Sequence, residues 1–112
     1  MTAASRKQRA RLTEAMVAEV LRDIYPDAVR IPASLPGADI LFTPGITVEV
    51  KARRDLDLTG WLKQATTRGS YEALPVVISR PDGYGVERIN SWPAIVPVWV
   101  LIELLKRGGF GE

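Results

Sequence analysis

Asp39, Glu49 and Lys51 are the residues whose types and spacing best suit chemistry. An extended chain through Ile46-Thr47-Val48-Glu49-Val50-Lys51 points alternate side chains to opposite faces. Ile46, Val48 and Val50 share one face; Thr47, Glu49 and Lys51 share the other. An acid and a lysine thus stand two residues apart on one face of an otherwise apolar strand. Asp39 opens the preceding apolar run and approaches Glu49 across a hairpin, how closely depending on register. Two carboxylates meeting at a sheet edge repel unless a cation sits between them. A divalent metal removes that repulsion and can activate water against a phosphodiester. The lysine can orient or deprotonate that water, or neutralise charge developing on the phosphate. The carbonyl of Val50, in the middle of the motif, is a further candidate metal ligand. Alone, Glu-x-Lys is more often a surface ion pair. Here a hairpin, an Asp at its start, flanking bases and helices on both sides set it apart.

Composition narrows the chemistry. The chain contains no cysteine and no histidine. That excludes thiol nucleophiles, Ser-His-Asp triads, thiolate zinc sites and His-based metal sites. Carboxylates and lysine must carry any catalysis, and hard oxygen ligands suit Mg²⁺ or Mn²⁺. The net charge is only +2, but its distribution is uneven. Arg6, Lys7, Arg9 and Arg11 crowd the start, and Arg53 and Arg54 follow Lys51. Such clusters are often merely solvated; they can also neutralise phosphates, which makes them candidate DNA contacts.

The 112 residues, 46% apolar and 25% charged, are expected to form one folded domain. No apolar run approaches the roughly 20 residues needed to span a bilayer, and no apolar signal segment follows the first basic residues. A soluble cytoplasmic protein, with no membrane partner, is expected.

The elements that must position these residues read as follows. Residues 1–7 are expected to be a flexible basic arm. From about residue 8 to Ile24, Leu12, Met16, Val17, Val20, Leu21 and Ile24 recur at helical spacing, and Pro26 stops the helix. Ala28–Ile31 is a short strand candidate, followed by a Pro-rich loop containing Ser34, a candidate phosphate contact. Asp39–Phe42 and Ile46–Ala52 form a hairpin about Thr43-Pro44-Gly45, where Pro-Gly suits a type II turn. Leu58, Trp61, Leu62 and Ala65 give a second helical stripe, capped by Asp55 or Asp57. Pro75–Ser79 and Tyr84–Ile89 are read as strands about a Pro81-Asp82-Gly83 turn. A last helix starts near Pro97 and ends at Gly108-Gly109. The order is α-β-β-β-α-β-β-α, an α/β domain with a central mixed sheet flanked by helices. The last helix is apolar around nearly its whole circumference, from Ile95 and Val96 to Leu105, and should be buried on more than one side. A homodimer through this helix is one way to provide the second side; deep burial in a monomer is the other.

Gly37-Ala38-Asp39-Ile40 followed by Val48-Glu49-Val50-Lys51 resembles the core signature of the PD-(D/E)XK nuclease superfamily. Within it, the chain is similar to the archaeal-type Holliday junction resolvases over roughly residues 5 to 90. The resemblance implies a restriction-endonuclease-like fold and Mg²⁺-dependent hydrolysis of DNA, at four-way junctions or at flapped, nicked or linear duplex. It implies Glu14, Asp39 and Glu49 as metal ligands, Lys51 beside the attacking water, and Gln64, thirteen residues after Lys51, as the site's supporting glutamine. Ala38 stands where the signature usually has proline, and Ala10 where the resolvases have glycine. Glu19 competes with Glu14, because the two flank opposite edges of the apolar stripe. A stand-alone nuclease of this kind suits a bacterial, archaeal or phage-infected cell. A non-catalytic DNA-binding subunit of the same fold is the rival outside enzymology.

Overall fold

Thr2 starts the first helix. Its hydroxyl accepts the Ser5 backbone N–H at 3.1 Å, so α1 (Ala3–Leu21) begins five residues earlier than its apolar pattern announces. The stretch expected to be a flexible arm is therefore helical. Ala3, Ala4, Arg6, Lys7 and Gln8 are good helix formers whose side chains need no burial, so apolar periodicity does not reveal them. The computed structural model describes residues 2–32, 35–52, 57–68 and 73–111. Ser34, Arg53, Arg54 and Asp55 lie outside the described residues.

The buried face of α1 also differs from the expected stripe. Thr13, Val17 and Ala18 are buried, whereas Leu12, Val20 and Ile24 are exposed. The centre of the contact face holds a threonine and an alanine, which a hydrophobicity pattern underweights.

Strands β1 (Val29–Arg30) and β2 (Ile40–Leu41) pair antiparallel in a two-stranded sheet. Strand β3 (Ile46–Lys51) pairs parallel with β4 (Leu74–Ser79), and helix α2 (Leu58–Arg68) lies between them in sequence. Strand β5 (Ala94–Ile95) adds antiparallel to β4, giving a mixed sheet ordered β3-β4-β5. Helix α3 (Val98–Arg107) closes the order. The sequence of elements is the expected α-β-β-β-α-β-β-α, but two members differ in kind.

First, β2 and β3 do not pair as the expected hairpin: they belong to different sheets. The turn itself is as expected: Gly45 takes φ +92° and Ile46 N–H donates to Thr43 C=O at 3.1 Å. Phe42, however, takes φ +63°, a left-handed conformation unusual for an aromatic residue. It ends β2 after two residues and leads the chain out of the ladder. Second, Tyr84–Ile89 is not a strand. Val86–Ser91 forms a 3-10 helix, with Val86 and Ile89 three residues apart on one side against the α1 core. The strand position beside β4 falls to Ala94–Ile95 instead.

The alternation of β3 decides which helix each side chain meets. Val48 and Val50 enter the cluster with Val17, Ala18, Ala28, Ile40 and Trp92 on the α1 side. Val77, the register partner of Glu49, packs with Trp61 and Ala65 of α2 on the other. Each fully buried valine contributes about 1.5–3 kcal/mol. A one-residue slip would forfeit these contacts and drive Glu49 into the α1 core. Burial on both faces therefore holds Glu49 and Lys51 toward α2. No helix among the described residues is long and apolar enough to cross a membrane.

Candidate active site

Asp39 sits at the seam between the two sheets and is tied there three times. Its N–H donates to Val48 C=O at 3.1 Å, and its C=O accepts Ile31 N–H at 2.9 Å. Its carboxylate Oδ2 accepts Val50 N–H at 2.7 Å. Backbone N–H and C=O of one strand residue point to the same edge. Val48 and Val50 thus face Asp39, while Lys51 C=O faces β4 and accepts Arg80 N–H at 2.7 Å. The Val50 carbonyl shares its strand edge with the Asp39 carboxylate. The hairpin acid and the Glu-x-Lys strand are coupled even though no ladder joins β2 to β3.

Glu14 lines the same cleft as Asp39, a space of about 680 Å³ also walled by Lys7, Arg11, Arg30, Leu35 and Gly37. Glu19 is exposed and faces elsewhere. Burial pushes the Glu14 carboxyl above its usual range; the neighbouring Asp39 charge adds to the rise, and Arg30 pulls it back. Arg30 Nε lies 3.6 Å from Glu14 Oε2, an ion pair beyond hydrogen-bond length. A partly exposed pair of this kind contributes about 0–1 kcal/mol, too little to cancel burial and acid–acid repulsion together.

On the α2 face, Lys51 Nζ donates to Gln64 Oε1 at 2.6 Å. Asp57 sets the start of α2: its Oδ1 accepts Gly60 N–H at 3.1 Å. Gln64 then falls two turns into the helix, at the border of the face that buries Trp61 and Ala65. Glu49 is fully buried on the same face of β3 as Lys51.

A divalent cation suits part of this donor set. Glu14 and Asp39 repel each other across the cleft, and the Val50 carbonyl is presented at the Asp39 edge. Among the described residues no three acidic side chains converge as a closed metal cage. The fit is to two carboxylates and a backbone carbonyl, with Glu49 behind them in the strand.

The four N-terminal bases divide. Lys7, Arg11 and Glu14 follow one helix face at i, i+4 and i+7 and line the cleft together. Arg6 is exposed. Arg9 lies near Arg80, whose proton affinity is lowered by burial and by the Arg9 charge. Arg80 itself joins three elements: Nη1 donates to Thr13 Oγ1 at 3.1 Å, Nε donates to Tyr84 C=O at 2.7 Å, and the guanidinium lies 5.6 Å from the Trp92 ring centre. Arg30, which walls the cleft, and Arg80, a brace outside the cleft's lining, are residues that motif reading passes over. An arginine between Val29 and Ile31 in a short apolar strand was the available signal for the first. Nothing local to the sequence marks the second.

No protein-family model matches the chain, and comparisons with curated proteins and with solved structures give no match.

Proposed function

We propose that the chain is a Mg²⁺- or Mn²⁺-dependent DNA endonuclease of PD-(D/E)XK type with a restriction-endonuclease-like fold, acting on branched DNA such as four-way junctions. The observation that carries this reading is the 2.7 Å bond from Val50 N–H to Asp39 Oδ2. It brings the acid of one strand to the Glu-x-Lys of the next, beside a second acid, Glu14, in a cleft walled by cations.

In this reading Glu14, Asp39 and the Val50 carbonyl are the residues that would hold the ion; Glu49, expected as a third ligand, is fully buried behind them in the strand. A bound divalent cation supplies positive charge that favours attack of water on a phosphodiester and offsets charge on the phosphate oxygens. Gln64 fixes the head of Lys51 through one N–H, leaving its other protons to orient water or meet a phosphate oxygen. Lys7, Arg11 and Arg30 neutralise backbone phosphates approaching along α1. Two copies related by a two-fold axis would address two strands of a symmetric junction.

The test is cleavage of a labelled four-way junction and its sequence-matched duplex in Mg²⁺ and in EDTA. Paired, Mg²⁺-dependent nicks in the junction alone are expected. Equal cutting of both substrates would retain the nuclease and discard junction selectivity. Binding of DNA that ignores Mg²⁺, with no cutting, would favour a DNA-binding subunit.

A further inference from the structure

Building on the cation site proposed above, we infer that Arg80 is a positioning residue: it clamps the helix that carries Glu14 to the end of the strand that carries Lys51. Its backbone N–H donates to Lys51 C=O at 2.7 Å, one residue past the end of β4. Its guanidinium Nη1 donates to Thr13 Oγ1 at 3.1 Å, across 67 residues of sequence. Thr13 is fully buried and stands directly before Glu14 in α1. One residue thus holds both halves of the site, by its main chain on one side and its side chain on the other.

The arginine is itself held. Nε donates to Tyr84 C=O at 2.7 Å, and Tyr84 N–H closes the turn onto Pro81 C=O at 3.2 Å. The guanidinium lies 5.6 Å from the ring centre of Trp92, which is buried and anchored by its own indole N–H to Gly85 C=O at 3.2 Å. Thr13 gives its one hydroxyl proton to Arg9 C=O at 2.7 Å, so towards Arg80 it can only accept. A planar guanidinium serves Tyr84, Thr13 and Trp92 together; a lysine ammonium is a point donor without that fork.

The apolar core does not by itself aim Glu14. Val17 and Ala18 share one core with Val48 and Val50. Such contacts are non-directional, so they hold α1 against the sheet but tolerate small turns about its axis. A hydrogen bond is directional. Successive helix residues leave the axis about 100° apart, so holding Thr13 towards Arg80 aims Glu14 into the cleft it lines with Asp39. Neither Thr13 nor Arg80 lines that cleft, so replacing either side chain reaches the ion only through Glu14.

The test is Mn²⁺ binding to the full chain without DNA, followed by electron paramagnetic resonance. Wild type is compared with Thr13→Val, which keeps the shape and loses the hydroxyl, with Thr13→Ser, which keeps the hydroxyl, and with Arg80→Lys, which keeps the charge and loses the fork. Junction cleavage and urea unfolding are read on the same samples. Thr13→Val and Arg80→Lys should bind Mn²⁺ about tenfold more weakly at unchanged stoichiometry, and Thr13→Ser should bind as wild type does. Wild-type affinity in both Thr13→Val and Arg80→Lys, or a lower stoichiometry at wild-type affinity, would overturn the inference and leave Arg80 a brace of the fold alone. Wild type that binds no Mn²⁺ would overturn it too. The expected differences in a wild type that cuts no DNA would support the positioning role and discard the nuclease. If Thr13→Val does not fold, Arg80→Lys decides alone.

Discussion

Val50 donates its backbone N–H to the carboxylate of Asp39 at 2.7 Å. The bond spans eleven residues of sequence and links the start of β2 to β3, which no ladder joins. A hydrogen bond to a charged acceptor contributes about 1.5–3 kcal/mol, more than the loose Arg30–Glu14 pair beside it. Asp39 is consequently a structural tie and, in the proposed reading, also an acid that meets the cation.

That double role separates two substitutions. Asp39→Asn keeps an acceptor for Val50 N–H and should lose under about 1 kcal/mol of stability, whereas Asp39→Ala should lose about 1–3 kcal/mol. Both should lose cleavage. Urea unfolding read beside cleavage tests this; an Ala variant as stable as wild type would show that the bond contributes nothing.

Gln64→Ala should leave the fold intact and reduce kcat about tenfold, with KM little changed, because it frees the Lys51 head without removing it. Lys51→Ala should cost more. A Gln64→Ala enzyme with wild-type kcat would show that this bond does not position Lys51 for the reaction.

The strand faces and the turn beside this site were legible in the sequence. The alternation of Ile46–Lys51 gave the correct faces because both faces are buried, so register is strongly specified. The Pro44-Gly45 turn was readable from the one residue that takes φ +92° at no cost. What was not legible follows from weaker signals. Thr2 extends α1 through residues with no apolar period, and Thr13 and Ala18 build its contact face without hydrophobic bulk. Tyr84, Val86 and Ile89 mix spacings of two and three, and tertiary contact with the α1 core selected the 3-10 form. The left-handed Phe42 that ends β2 has no sequence signature at all.

Glu14 gives the apo protein a pH dependence of defined sign. Burial and Asp39 raise its folded pKa above the unfolded value of about 4.3. Between those two values the folded state binds more protons than the unfolded state, so stability falls as pH rises through that window. Glu14→Gln should flatten the fall. Urea midpoints measured from about pH 4 to pH 7 in chelator should show it; a wild-type midpoint that rises through this range while Glu14→Gln stays flat would contradict the sign.

The division of the N-terminal bases predicts unequal effects on DNA affinity. Lys7→Ala and Arg11→Ala should each reduce the slope of log affinity against log salt by about 0.9. Arg9→Ala, beside Arg80, should leave the slope unchanged. Identical slopes for all three variants would show that the cleft does not carry the DNA backbone.

The most direct measurement is single-turnover cleavage of a four-way junction by wild type and by Asp39→Asn, in Mg²⁺ and in EDTA, with circular dichroism on the same samples. Cutting by wild type in Mg²⁺ alone, lost in a folded Asp39→Asn protein, is the predicted result. Cleavage that persists in EDTA, or survives in Asp39→Asn at the wild-type rate, would contradict metal-dependent hydrolysis at this site.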